Sequence, residues 1–412
     1  MTVTSDAAST LAIDDLLDAA RAIQPDLVEL RRRIHRRPEI GNDLPVTQEV
    51  IVEELAKLGI EGRRGSSLSS VIGVIDGGRP GPTVILRADM DALPLTEETG
   101  LDFSSEIVGA MHACGHDAHV SMLLGAARLL QERRTSLPGR VILMFQPGEE
   151  GWHGARTMLE EGLLDAAGPD AAQPTGAFAI HVSTRYSSGT VNLRPGPLMA
   201  ATDVIRIWVR GRGGHASTPH LALDPIPVAA EIILGLQAMV ARRINVFDPA
   251  VVSISQVTAG TTNNIIPEAA FLHGTIRTVS EGTRATVREG VRRVAEGVAA
   301  AHGATVEVDL EPGYPVTLND AGFTEFARGV AGDIVGADRV VELGSPVMGG
   351  EDWSYVLQQV PGAMVFLGSC LPELDPLTAP QFHSNRVVFH EDVMPIGVAL
   401  HAAMAIRHLT AG

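Results

Sequence analysis

Apolar side chains recur at helical spacing near the start of the chain: Leu16, Ile23, Leu27, Leu30 and Ile34 predict a helix over Leu16 to Arg37. Pro38 closes it, and Pro25 is placed to split it in two. Val46 to Leu58 repeats the pattern and stops at Gly59. Continuous apolar runs of strand length follow at Val71–Ile75, Val84–Leu86, Val141–Phe145 and Ala177–Ile180. Helical patterns at Val120–Leu130 and Gly154–Glu161 lie between them. This alternation predicts an α/β domain whose mostly parallel sheet is covered by helices on both faces. Ligands bind such sheets beyond the carboxyl ends of the strands.

After about residue 200 the rhythm changes. Val204–Val209 reads as a strand, Pro225–Arg243 as a helix, Val251–Val257 and Ala269–Ile276 as strands, Thr283–Ala301 as a helix and Thr305–Leu310 as a strand. That order, β-α-β-β-α-β, is the ferredoxin-like pattern. The α/β pattern resumes after Tyr314, with a strand at Met364–Leu367 and a last helix near Val393–Ala405. The expected organisation is a discontinuous catalytic domain, residues 1–198 and 314–412, interrupted by an inserted α+β domain over 199–313.

Length agrees, since 412 residues exceed the usual size of one core. A net charge of −17 argues against nucleic acid or an anionic membrane as partner. No uninterrupted apolar run reaches the length of a membrane span. Met1 to Asp18 carries neither a basic n-region nor an apolar h-region, so no secretory leader is expected, and the short tail is expected to be disordered. Cys114 and Cys370 are too few for a disulfide scaffold, which makes a reducing cytoplasm the expected location.

Polar residues of chemical interest cluster after the predicted strands. They are Arg87 to Asp91, His112 to His119, Gln146 to Glu150, His181 and, in a Pro-rich turn, His383-Ser384. Thiolate, imidazole and carboxylate are the donors that hold zinc-like ions. Cys114 and His116, two apart on a turn, can reach one ion. Of Glu149 and Glu150, one can ligate while the other takes a proton from water that the metal has acidified. Each residue taken alone has a plainer reading: a solvated histidine, an inert buried thiol or a surface carboxylate pair. Spacing alone leaves both readings open; the arrival of all of them at successive strand ends favours the metal enzyme.

The ordered motifs resemble the N-acyl-amino-acid amidohydrolase branch of the aminoacylase/carboxypeptidase metallopeptidase family, the branch of hippurate and auxin-conjugate hydrolases. They run from His35-Arg36-Arg37-Pro38-Glu39 through Arg87 to Pro94, Met111 to His119, Gln146 to Gly151, Gly213 to Ser217, Asn264 to Pro267 and Gly349 to Asp352, to His383-Ser384. By this resemblance Cys114, His116, Glu150, His181 and His383 fall on metal-ligand positions, and Glu149 on the general acid/base. His215 falls on a histidine near the scissile carbonyl, and Asn264 and Arg277 on substrate-binding positions. The resemblance implies two divalent ions per subunit (Zn, Mn, Co or Ni), and a homodimer or dimer-based oligomer paired through the inserted domain. Better-known relatives have His-x-Asp where this chain has Asp89-Met90-Asp91, and bridge the metals with an Asp where this branch offers Cys114 and His116. The softer thiolate keeps the metal's identity open. Gly148 stands where many members have Ala, a change expected to be minor. His119 and His153 receive no role, and Cys370 is expected to be structural.

The implied reaction is hydrolysis of an N-acyl amino acid to a carboxylic acid and an amino acid. A dipeptidase or carboxypeptidase that takes short peptides breaks the same kind of bond. From other classes come a non-catalytic metal- or peptide-binding protein, which the retained Glu149 disfavours, and a thiol enzyme with Cys114 as nucleophile. The latter leaves Glu150, His181 and His383 without roles.

Overall fold

The computed structural model describes residues 13–411. The expectations for the N-terminal tail therefore fall largely outside the described residues. By compactness the chain divides into two units. One is the chain up to Gly196 with Leu318–Gly344 and the chain from Tyr355 onward; the other is Pro197–Thr317 with Ser345–Ser354. The pattern alone placed all of 314–412 in the first. Ser345–Ser354 groups with the second because Ala200 N–H is held by the carbonyls of Val347 and Gly349 at 3.0 and 2.9 Å.

The first unit is built on an eight-stranded sheet in the order Arg63–Arg64, Val71–Asp76, Pro138–Gln146, Arg79–Asp89, Pro174–Ser187, Gly362–Cys370, Val191–Leu193, Val340–Glu342. The four central strands, from Pro138–Gln146 to Gly362–Cys370, are mutually parallel, and antiparallel pairs flank them. Consecutive residues of a strand face opposite sides. All nine of Gly362–Cys370 and the last seven of Arg79–Asp89 are buried, so both faces are covered. The predicted first helix is two, Leu16–Ala22 and Gln24–His35, with Pro25 in the first turn of the second. A helix at Ala321–Val335 went unpredicted, although Asp320 caps it (Phe323 N–H to Oδ1, 2.7 Å) and Gly336 ends it.

In the second unit, strands Ala201–Arg210, Ala250–Ala259, Ala269–Thr278 and Thr305–Pro312 form one antiparallel sheet. In chain order the arrangement is second, third, first, fourth, the ferredoxin-like topology. Helices Pro225–Arg243 and Glu281–Ala301 bury Ile232, Leu236, Val287 and Val291 with Ile205, Ile207 and Leu272 of the sheet in a separate core. Among the described residues two helical stretches, Pro225–Arg243 and Glu391–Thr410, are long and apolar enough to cross a membrane by length and composition. The buried part of each packs in a core, 78% of the apolar window in Glu391–Thr410 and 33% of that in Pro225–Arg243. Leu400, Ala403 and Met404 lie in the first, and Val228 and Ile232 in the second.

Candidate metal centre

Three backbone turns bring the donors of the first unit together. The first lies at Gly115, whose φ of +86° only glycine adopts cheaply, and where a Cβ would run into Val182. It sets Cys114 just outside the helix His116–Glu132 and His116 at its first position. The second follows Pro138–Gln146. There Gly148 has φ +66°, and a Cβ on it would collide with Asn42 Oδ1. Alanine at this position is therefore strained in this chain, contrary to the expectation of a minor change. The third holds His383, a non-glycine residue at φ +68°, whose N–H is clipped to Ala113 O at 2.9 Å.

Donor atoms of Cys114, His116 and His181 lie within 4.8 Å of one another, as do those of Cys114, Glu150 and His383. Cys114 is common to both groups. Individual contacts are Cys114 Sγ to His181 Nε2 at 3.4 Å and His383 Nε2 to Glu150 Oε1 at 3.1 Å. All five expected ligands are thus brought together, with Glu149 in a further group with His116 and Glu150. Backbone carbonyls select the histidine tautomers, because a carbonyl only accepts. His116 Nδ1–H donates to Asp91 O at 2.8 Å and His181 Nδ1–H to Val182 O at 2.7 Å. Both Nε2 atoms are left to face the site.

Asp91 is a residue whose part sequence reasoning missed. Its two carboxylate oxygens accept the backbone N–H groups of Glu149 and Glu150, each at 3.0 Å. It thereby holds the acidic turn. The signal was only its proximity to Asp89 in a polar stretch.

Electrostatics show what the site lacks. Burial opposes charge on His116, but Asp89, Asp91 and Glu150 outweigh it and push its pKa up to about 10. Burial, then Glu150, Glu149 and Asp89, push the Cys114 thiol well up. Burial and these acids disfavour the thiolate that a cysteine nucleophile needs, which counts against the thiol-enzyme reading. Burial keeps His181 neutral. Among the described residues the buried His116 Nε2 has no hydrogen-bond partner, with Asp89 Oδ2 3.5 Å away. Clustered acids, a thiol that ionises only beside a cation, and an orphaned imidazole nitrogen are what divalent ions satisfy; the residues fit them.

Beside the centre, Asp117 Oδ2 accepts from Arg31 Nε at 3.0 Å and from His35 Nδ1 at 2.8 Å, while His35 Nε2 faces Glu97 Oε2 at 3.2 Å. Burial lowers the His35 pKa, but these carboxylates prevail and raise it from 6.5 to about 9. A raised histidine stabilises the fold fully below its unfolded pKa, and that contribution disappears as pH rises through the folded value. Metal-saturated protein should lose stability on the order of 3 kcal/mol from pH 6.5 to above 9 through this group. Urea unfolding of His35→Gln should show no such component; an equal pH dependence in the variant would refute it.

The remaining expected residues are in the second unit. Gly214–His215 pairs with Ile265–Ile266, and Ala216 N–H bonds Asn264 O at 3.0 Å, so His215 and Asn264 are neighbours. His215 is exposed, and its Nδ1 accepts Ser217 N–H at 3.1 Å, which leaves Nε2 as the donor. Arg277 pairs with Thr202 at one end of the sheet, whereas the chain reaches His215 past Arg210 at the other. Among the described residues the Arg277 guanidinium has no hydrogen-bond or ion-pair partner, and burial lowers its pKa. His153, left without a role above, bonds Tyr355 Oη through Nδ1 at 2.9 Å.

Two ions with a carboxylate beside them are the working parts of metal-dependent hydrolases, and this chain is one. The model of peptidase family M20/M25/M40 matches residues 85–407, and the chain belongs to that family. It is 40% identical over 399 residues to thermostable carboxypeptidase 1 of Saccharolobus solfataricus, covering 96% of this chain and 98% of that one. It is 38% identical to the N-acetylcysteine deacetylase of Bacillus subtilis, over 94% of this chain and 98% of that one. Among solved structures, the Bacillus subtilis YXEP protein, described as a dinuclear metal binding peptidase from the M20 family, superposes with a TM-score of 0.79. That match has 34% identity and covers 94% of this chain and 99% of that one. The centre accordingly takes two divalent ions.

Proposed function

We propose that this protein hydrolyses the amide bond of N-acyl amino acids, releasing a carboxylic acid and an amino acid. The observation that carries the reading is the pair of donor groups sharing Cys114, with Glu149 beside His116 and Glu150. Likeness to an N-acetylcysteine deacetylase supports the substrate class. Cys114, His116 and His181 would hold one ion, and Cys114, Glu150 and His383 the other. When bound, the ions supply Lewis acidity that lowers the pKa of water and polarises the amide carbonyl. Glu149 takes the proton of the attacking water and later gives it to the leaving amine. His215, with Nε2 as donor, stabilises the charge that develops on the carbonyl oxygen. Asn264 orients the substrate, and the unpaired guanidinium of Arg277 receives its carboxylate. Likeness to a carboxypeptidase favours a second reading on the same site, removal of a C-terminal residue from a short peptide. Rates measured across acetyl-, benzoyl- and indoleacetyl-amino acids and dipeptides decide between them. Higher kcat/KM for every dipeptide would overturn the first reading.

The inserted domain, 199–313, serves in this proposal as lid and dimerisation element, in a cytoplasmic homodimer. Two observations support pairing. Strand Ala250–Ala259 lies at the sheet edge, and Leu234 and Val257 are 70% and 56% exposed. Eight residue steps separate Thr202, which pairs with Arg277, from Arg210, beyond which lies His215. At strand rise that is about 26 Å, which favours contact with one small substrate from two different chains. Mixing inactive Glu149→Ala and His215→Ala proteins should then restore about a quarter of wild-type activity, since about half the dimers are mixed and each has one intact site. Activity unchanged after subunit exchange, verified by mass analysis, would confine His215 to its own chain.

A further inference from the structure

We infer that His119 is a positioning residue, a strut that sets His181 for its ion through the backbone of Val182. The ladder between Pro174–Ser187 and Arg79–Asp89 ends at the pair Arg87↔Ala179. Val182 lies beyond that end, and two histidine side chains serve its peptide groups. Val182 N–H donates to His119 Nε2 at 2.9 Å, and Val182 C=O accepts His181 Nδ1–H at 2.7 Å. An amide N–H can only donate, so His119 Nε2 carries a lone pair and its proton sits on Nδ1. That proton goes to Asp89 Oδ1 at 2.5 Å. Asp89 Oδ2 is held by Arg87 Nη1 at 2.7 Å, and Arg87 Nε reaches Gln146 Oε1 at 2.9 Å. Every side chain in the series Gln146, Arg87, Asp89 and His119 is at least 99% buried.

Two consequences follow from the bonding. Donor atoms of Asp89, His116 and His119 fall within 4.8 Å of one another, a grouping that could itself be taken for a cation site. With both His119 nitrogens committed, that residue has no lone pair for an ion, and the grouping is an anchor. The strut also runs in one direction. Asp89 fixes the His119 tautomer, the Nε2 acceptor so left holds the Val182 amide, and the Val182 carbonyl fixes the His181 tautomer and orientation. His181 Nε2 is thereby kept facing Cys114 Sγ. Partners one bond removed from a metal ligand typically change metal affinity about ten- to a hundredfold when lost.

Two isosteric substitutions separate the strut from simple packing. In His119→Asn the amide stands near Nδ1, so the bond to Asp89 remains and the acceptor for Val182 is lost. In His119→Gln the carbonyl oxygen stands near Nε2, so the acceptor remains and the Asp89 bond is lost. Metal-stripped proteins are titrated with Zn2+ and with Mn2+ against a chromophoric chelator, with His181→Ala as reference and thermal unfolding run alongside. The Asn variant is expected to bind one of two ions about ten- to a hundredfold more weakly, and it is the same ion that His181→Ala loses. The Gln variant is expected to bind both as wild type does. Equal weakening in both variants, or unchanged binding in the Asn variant, overturns the strut. If the Asn variant does not fold, the Gln variant decides: a tenfold loss of either ion refutes the proposal. The inference rests on His181 being a ligand, so His181→Ala with both ions bound normally would remove that premise, distinguishably from a failure of the strut.

Discussion

Stripping the protein of metal is expected to abolish amide hydrolysis, and Zn, Mn, Co or Ni added back should restore it. The reason lies in the buried centre. Cys114 and His116 both hold their protons more tightly than usual there: burial and the acids Glu150, Glu149 and Asp89 raise the thiol, while Asp89, Asp91 and Glu150 outweigh burial at the imidazole. An ion must displace those protons to bind, so affinity should rise with pH and fall in acid. Without an ion, the amide carbonyl has no Lewis acid and the water no acidifying charge, and Glu149 alone cannot compensate. The check is activity against metal content by elemental analysis over a pH series. Full turnover in protein shown to be metal-free would end the proposal.

Glu149→Gln is expected to lower kcat about a hundred- to ten-thousandfold while both ions remain bound. Glu150→Gln should lose metal as well as activity. These neighbours differ because of the turn on which they sit. Asp91 accepts both of their N–H groups, which fixes the backbone. From that fixed turn the Glu150 carboxylate meets His383 and belongs to the donor group of Cys114 and His383. Hydrogen bonding to His383 and the charge of His116 overcome burial and keep Glu150 below the usual carboxylate range, as a ligand requires. Metal content and single-turnover rates measured on both variants separate the two roles. Near-normal turnover in Glu149→Gln with full metal occupancy would remove Glu149 as general base.

Much of this was readable from local pattern. Uninterrupted apolar runs marked the parallel strands because a strand buried on both faces has no polar side to show. Pro25 and Gly59 marked helix ends through the backbone angles they permit. The helix Ala321–Val335 was missed despite a capping Asp320 and apolar positions at Phe323, Ala327, Val330 and Ile334. There the signals were present and went unread. The short flanking strands Val191–Leu193 and Val340–Glu342 are a different case. Three residues carry no period, and only their neighbours make them strands.

Sequence by itself determined the kinds of donors and their order along the chain: a thiol, three imidazoles and two adjacent carboxylates at strand ends and turns. It also determined the glycines without which two of the turns could not form. Only the tertiary structure decided what each donor does. The roles of Asp91, Asp89 and His119 depend on partners 58, 30 and 63 residues away, at Glu149, His119 and Val182. A hydrogen bond's direction, and with it a histidine's tautomer, is set by whichever backbone group folding places opposite it. No local spacing encodes that, because the energy that chooses the tautomer arises only when the partner is within about 3 Å and water is gone.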